Sequence, residues 1–177
     1  MTFRETALAG VWIVEPEPVA DARGFFARTW CRREFEARGL TPALAQCSVS
    51  VTKRRGTVRG MHFQQPPHGE AKLVRCTRGA IHDVALDARH GSPTFGRWVA
   101  AELTADNHRM LYVPEGVAHG FQTLTDDAEV FYQISEFHHP ESERGILWND
   151  AAVGIAWPVT DVTVSPRDAG LPRLADL

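Results

Sequence analysis

No run of basic residues, no cysteine pair at metal-ligand spacing and no long apolar stretch occurs in this 177-residue chain. Each absence excludes a class of function. The 19 Lys and Arg are scattered and are outnumbered by 22 Asp and Glu, giving a formal net charge of −3 and a pI near 6.2. The electrostatic footprint of a nucleic-acid binder is therefore missing. The three cysteines, Cys31, Cys47 and Cys76, are odd in number and lie in no CxxC pattern, which argues against a disulfide framework or a thiolate metal site. No run approaches the roughly 18 apolar residues of a membrane-spanning helix. The N-terminal Met1–Thr6 has no charged segment leading into an apolar one, as a secretory signal would. The expectation is a soluble cytoplasmic protein with reduced thiols, without nucleic-acid or membrane partners. Internal repeats and low-complexity segments are absent too.

What is present is β-sheet patterning over a length suited to one domain, residues 1–177. Short runs rich in β-branched or alternating residues recur at 47–52, 57–64, 72–77, 79–87, 98–103, 109–113, 119–124 and 129–136. Turn formers separate them, among them Gly91-Ser92-Pro93, Pro114-Glu115-Gly116 and Asp126-Asp127. That spacing predicts an antiparallel sandwich or barrel, most naturally a jelly roll. Residues 32–39 read as a short helix, with Phe35 as its apolar anchor and Gly39 as its stop. Beyond Pro140 the periods fade, and Trp148, Trp157 and Pro158 suggest an extension that lays apolar rings over the sandwich.

The chemistry-bearing residues sit on the central runs. Arg59-Gly60-Met61-His62 and, ten residues on, Lys72 offer two cations beside a titratable imidazole, a set suited to an anionic substrate that loses a proton from carbon. Strand parity places His62 with Gly60 and Gln64, and Arg59 on the opposite face unless the strand bulges near Gly60. Taken alone, His62 reads as a core histidine. Strands with Arg, His and Lys at inward-capable positions make a poor apolar core, however. Tyr132, on a later strand, is either a general acid or a packed ring with its hydroxyl satisfied. The turn Pro114-Glu115-Gly116-Val117-Ala118-His119 resembles the second sequence box of the cupin superfamily. Metal-binding cupins add a His-x-His pair and a Glu from an earlier strand; here that strand offers His82 alone. A catalytic metal is therefore not expected, and His119 reads as a hydrogen-bonding group.

The segments Asp21-Ala22-Arg23-Gly24-Phe25-Phe26, Val58 to Gln64, Ala71-Lys72-Leu73-Val74, Pro114 to Phe121, Gly145 to Asp150 and Ser165-Pro166-Arg167-Asp168 span nearly the full length of the chain. Through them the sequence resembles the dTDP-4-dehydrorhamnose 3,5-epimerases, nucleotide-sugar epimerases of the cupin superfamily. Each segment is weak alone; their order and spacing together are specific. The resemblance implies a mainly β, cupin-type jelly roll with short flanking helices. It also implies a cofactor-free reaction at the carbons flanking a C4 ketone. His62 would be the general base with Asp168 as its partner, although Asp83 competes for that place. Lys72 would steady the enolate oxygen, and Tyr132 would return a proton on the other face. Arg59 would contact the diphosphate, joined by Arg23 from the partner subunit of a strand-exchanged homodimer, and Phe25 would be a further substrate-binding residue. Gln46, His119, Glu143 and Arg167 fall on family contact positions.

Three binding positions depart from the commonest family pattern: Arg28 in place of a glutamate, Ser48 in place of an asparagine, and His138 in place of a tyrosine. An arginine offers only donors, so Arg28 could favour a base with an acceptor, such as the cytosine of a CDP-sugar. Other readings are inversion at C3 or C5 alone, ketoisomerisation in a modified-sugar pathway, a metal-dependent cupin oxygenase, and a sugar-nucleotide binder without catalysis.

Overall fold

Side chains two apart on the central strands meet in one apolar interior, which is why these runs pair as sheets. In the computed structural model of residues 1–177, the strands β1 (Thr2–Glu5), β2 (Trp12–Glu15), β3 (Val19–Asp21) and β4 (Gly24–Phe26) precede helix α1 (Arg32–Glu36). They are followed by β5 (Gln46–Thr52), β6 (Thr57–Gln64), β7 (Lys72–Arg78), β8 (Ala80–Asp87) and β9 (Trp98–Thr104). Next come β10 (Met110–Val113), β11 (Val117–Thr123), β12 (Ala128–Ile134), β13 (Glu143–Gly145), β14 (Thr163–Val164) and helix α2 (Pro166–Ala169). One sheet runs β1-β2-β10-β7-β12-β5 and the other β13-β6-β11-β8-β9, with β14 added in parallel to β6; β3 and β4 form a separate hairpin. The fold is the mainly β jelly roll that the sequence predicts.

Between the sheets, Val74 and Cys76 of β7, Ile81 and Ala85 of β8, Val117 and Phe121 of β11, and Ala128 and Val130 of β12 form one buried cluster. The outer face of the first sheet is covered by α1. Phe35 is 1% exposed, which is worth about 1.5–3 kcal/mol relative to leaving it in water. The helix stops where Gly39 suggests. With Gly39 at φ 67°, its N–H donates to Glu36 O and the Leu40 N–H to Phe35 O, the paired closure of a Schellman motif.

The region beyond Pro140 is more than a cover. Ile146, Val153, Ile155 and Trp157 do pack on the outer face of the second sheet, against Met61 and Leu86. The same region also contributes β13, β14 and α2. Ser165 caps α2, its hydroxyl accepting from the Asp168 N–H at 3.0 Å, with Pro166 at the first helical position, where a missing N–H costs nothing. This turn projects Asp168 toward β6.

Strand β6 carries an irregularity that sets the site. His119 pairs with His62 and Phe121 with Arg59, so three residue steps on β6 face two on β11. A residue is thus inserted at Gly60 and Met61, as in a β-bulge. Gly60 has φ 119°, and a Cβ there would lie 2.6 Å from Gly120 Cα and 2.8 Å from His119 O. Only glycine fits both the dihedral and the approach. The bulge removes the parity conflict and turns Arg59 toward the same opening as His62.

Candidate active site

At one end of the sandwich the inward positions change from apolar to polar. On β12, Val130 gives way to Tyr132; on β7, Val74 gives way to Lys72; on β5 the inward side chains are Gln46, Ser48 and Ser50. A cavity of about 460 Å³ opens there between the sheets. Arg59, His62 and Gln64 of β6, His119 and Phe121 of β11, and Glu143 of β13 form its second wall, and Ser165, Arg167 and Asp168 close one side.

His62 and Asp168 form the central pair, with Nε2 and Oδ1 2.9 Å apart. The other Asp168 oxygen accepts the Gly60 N–H at 3.2 Å, tying the carboxylate to the bulge. A carboxylate only accepts, so His62 carries its proton on Nε2 and a lone pair on Nδ1. Burial above all holds the imidazole below its usual range; Asp168 opposes this, while Lys72 and Arg167 add to it. The result at neutral pH is an uncharged, oriented imidazole able to accept a proton.

Asp83 is engaged elsewhere: its Oδ1 lies 2.7 Å from His119 Nε2, and its Oδ2 is buried without a partner. The two histidines thus have separate carboxylates, although they are directly paired across β6 and β11. Tyr132 stands on the opposite sheet, its ring edge-on to His119 with centroids 5.9 Å apart. Burial first, and then the Asp83 carboxylate, push its phenol well above the usual tyrosine range, with Arg59 opposing. The phenol therefore stays protonated.

Lys72 donates to the His62 carbonyl at 3.4 Å and lies 2.8 Å from Glu70 Oε1. Both side chains of that pair are nearly buried, and both line the cavity. Glu70 escaped the sequence reading, yet it stands two residues before Lys72, the spacing that puts side chains on one face of an extended chain. The entrance is polar. Arg59 donates to Thr52 Oγ1 at 2.9 Å, Gln46 accepts the His138 N–H at 2.8 Å, and Arg167 pairs with Glu143.

Eleven of the fourteen residues expected at the site line this cavity, and Arg23, Phe25 and Arg28 do not. Arg23 is held by Asp21 on the β3–β4 hairpin with its side chain 90% exposed. Phe25 lies against His108, with ring centroids 5.0 Å apart, and Arg28 pairs with Glu34 at 3.3 Å. His82 does not converge with His119, for it sits under Trp157 on the outer face of β8. No helix is long and apolar enough to cross a membrane.

A protein-family model described as dTDP-4-dehydrorhamnose 3,5-epimerase matches residues 5–176. The chain belongs to that family. The dTDP-4-dehydrorhamnose 3,5-epimerase of Salmonella typhimurium is 44% identical over 176 residues, spanning 98% of this chain and 96% of the relative. The crystal structure of the Elizabethkingia anophelis epimerase superposes with a TM-score of 0.96 at 36% identity, covering 99% and 97% of the two chains. A 3′-monoepimerase from Streptomyces bikiniensis, solved in complex with dTDP-quinovose, gives 0.88 at 38% identity over 96% and 86%. The chain is an epimerase of the isomerase class, on the cupin-type jelly roll shared by this family.

Proposed function

We propose that the cavity binds a nucleotide-linked 4-keto-6-deoxyhexose and inverts C3, C5 or both through an enolate. The observation that carries this reading is His62 of one sheet, paired with Asp168 of α2, across one polar cavity from the Tyr132 phenol of the other sheet. Inversion needs a base and an acid on opposite faces of the ring, and the position of His62 and Tyr132 on opposite walls of one cavity supports those roles. His62 removes the proton α to the ketone, and Asp168 fixes its tautomer and steadies the imidazolium. Lys72 supplies positive charge at the enolate oxygen, where one preorganised donor is worth ~2.7–4 kcal/mol. Tyr132 returns a proton from the other side. Each acid–base group contributes roughly 10²–10⁴-fold.

The diphosphate is assigned to Arg59 and to Arg23 of the partner subunit in a homodimer. Two features support the dimer. The hairpin exposes Val19, Phe25 and Phe26, and the edge strand β5 exposes Val49 and Val51, an apolar surface of the kind that marks an interface. Gln46, Ser48, His138, Glu143 and Arg167 hold the nucleotide end, His119 lies beside the sugar, and Arg28 and Phe25 come from the exchanged segment. The three free thiols fit a cytoplasmic enzyme.

The test is incubation with dTDP-4-keto-6-deoxyglucose in D₂O, reading deuterium at C3 and C5 by NMR. Similarity to the 3′-monoepimerase favours a second reading, inversion at C3 alone, and deuterium confined to C3 would select it. No exchange at either carbon would overturn both.

A further inference from the structure

Beside the cavity mouth, His68, His139 and Glu141 come together from two loops, residues 65–71 and 135–142. The two imidazoles are stacked, with centroids 3.6 Å apart and planes 7° from parallel. Glu141 Oε1 lies 3.1 Å from His139 Nδ1 and 3.9 Å from His68 Nδ1. All three donor atoms fall within 4.8 Å of one another. None of the three has a part in the proton transfers proposed above.

The backbone beneath them is organised by a single buried side chain. The Gln64 amide nitrogen donates to the carbonyls of His68 at 2.9 Å and Phe137 at 3.0 Å, and its oxygen accepts the His139 N–H at 2.6 Å. One amide thus fixes the backbone of both histidines. His68 Nδ1 also meets Ser142 Oγ at 2.9 Å.

We propose that His68, His139 and Glu141 form a binding site for a zinc-type transition-metal ion, which ties the two rim loops together. Two imidazole nitrogens and one carboxylate oxygen match the ligand preference of such ions, leaving a fourth position for water. Calcium and magnesium favour all-oxygen sets. A tetrahedral site with bonds of about 2.0–2.1 Å has ligand edges of roughly 3.4 Å, between the 3.1 and 3.9 Å that separate Glu141 Oε1 from the two imidazoles. The parallel rings must tilt for their lone pairs to converge. Both histidines are about one-third exposed, so there is room. The same loops carry Glu70 and His138, which line the cavity, so an ion here stiffens the entrance without entering the chemistry.

The protein, stripped by a chelator, is titrated with Zn²⁺ by calorimetry and with Co²⁺ by visible absorption. The proposal expects one equivalent bound, and a zinc-dependent rise in melting temperature, as a ligand selective for the folded state must produce. H68A and H139A should each weaken binding at least tenfold and abolish that rise. H139F, which keeps the ring stack but has no donor, should bind as poorly as H139A, separating loss of a ligand from loss of packing. H62N should bind zinc like the wild type. Absence of stoichiometric binding to the wild type, or wild-type affinity in H139F, overturns the proposal. Deuterium exchange by the stripped wild type reports on the epimerase reading separately.

Discussion

Asp168→Asn removes the charge facing His62 while keeping nearly the same shape. The carboxylate makes two contacts, 2.9 Å to His62 Nε2 and 3.2 Å from the Gly60 N–H. An amide has only one accepting oxygen, so one of these contacts loses its acceptor. A hydrogen bond to a charged group is worth about 1.5–3 kcal/mol, which at about 1.4 kcal/mol per factor of ten corresponds to a fall of roughly 10- to 100-fold in kcat/KM. The pH profile adds a signed test. Asp168 raises the His62 pKa, whereas burial, Lys72 and Arg167 lower it. Removing Asp168 therefore makes the imidazole harder to protonate, and the acid limb of kcat/KM, set by the free enzyme's base, moves to lower pH. The variant is slower at neutral pH yet keeps its reduced activity further into acid. Steady-state rates across the acid range measure both effects. An undiminished kcat/KM, or an acid limb displaced upward, would refute the assigned partnership.

Other substitutions probe separate parts of the site. Tyr132→Phe should leave deuterium exchange at the substrate carbons while epimerised product falls by about 10²-fold or more; an unaltered epimerisation rate contradicts its role as acid. Glu70→Gln strips the 2.8 Å counter-charge from the nearly buried Lys72 ammonium and should lower kcat by roughly tenfold or more, with less effect on KM. Steady-state kinetics with unchanged kcat would remove Glu70 from the account. Gly60→Ala places a Cβ 2.6 Å from Gly120 Cα at a φ of 119°. Strain and overpacking should cost at least about 2 kcal/mol, seen as a melting temperature roughly 4–8 °C lower. A wild-type melting curve would mean that the bulge tolerates a side chain.

The core strands were legible because their alternation is long enough to show a period, and α1 because Phe35 and Gly39 mark its anchor and its stop. The shorter elements carry no such pattern. All of β3 and β4 is exposed, and β14 has two residues. For α2 the only local signal was a Ser-Pro start. The site shows the same division. His62, Lys72 and Tyr132 are visible as polar residues on inward-capable positions, but the pairing of His62 with Asp168 rather than Asp83 depends on where the C-terminal turn docks. Arg59 and His62 face one opening only because the chain bulges, and Gly60 shows that a bulge is allowed without fixing its register. The His68–His139 stack joins loops distant in sequence and had no local signal.

The most direct test of the central claim is site-resolved hydrogen exchange from dTDP-4-keto-6-deoxyglucose in D₂O, comparing the wild type with His62→Asn. The account predicts deuterium at C3, C5 or both in the wild type. In the variant it predicts a loss of at least about 10²-fold at every exchanging carbon, with dTDP affinity nearly unchanged. Exchange that persists undiminished without His62 would contradict it.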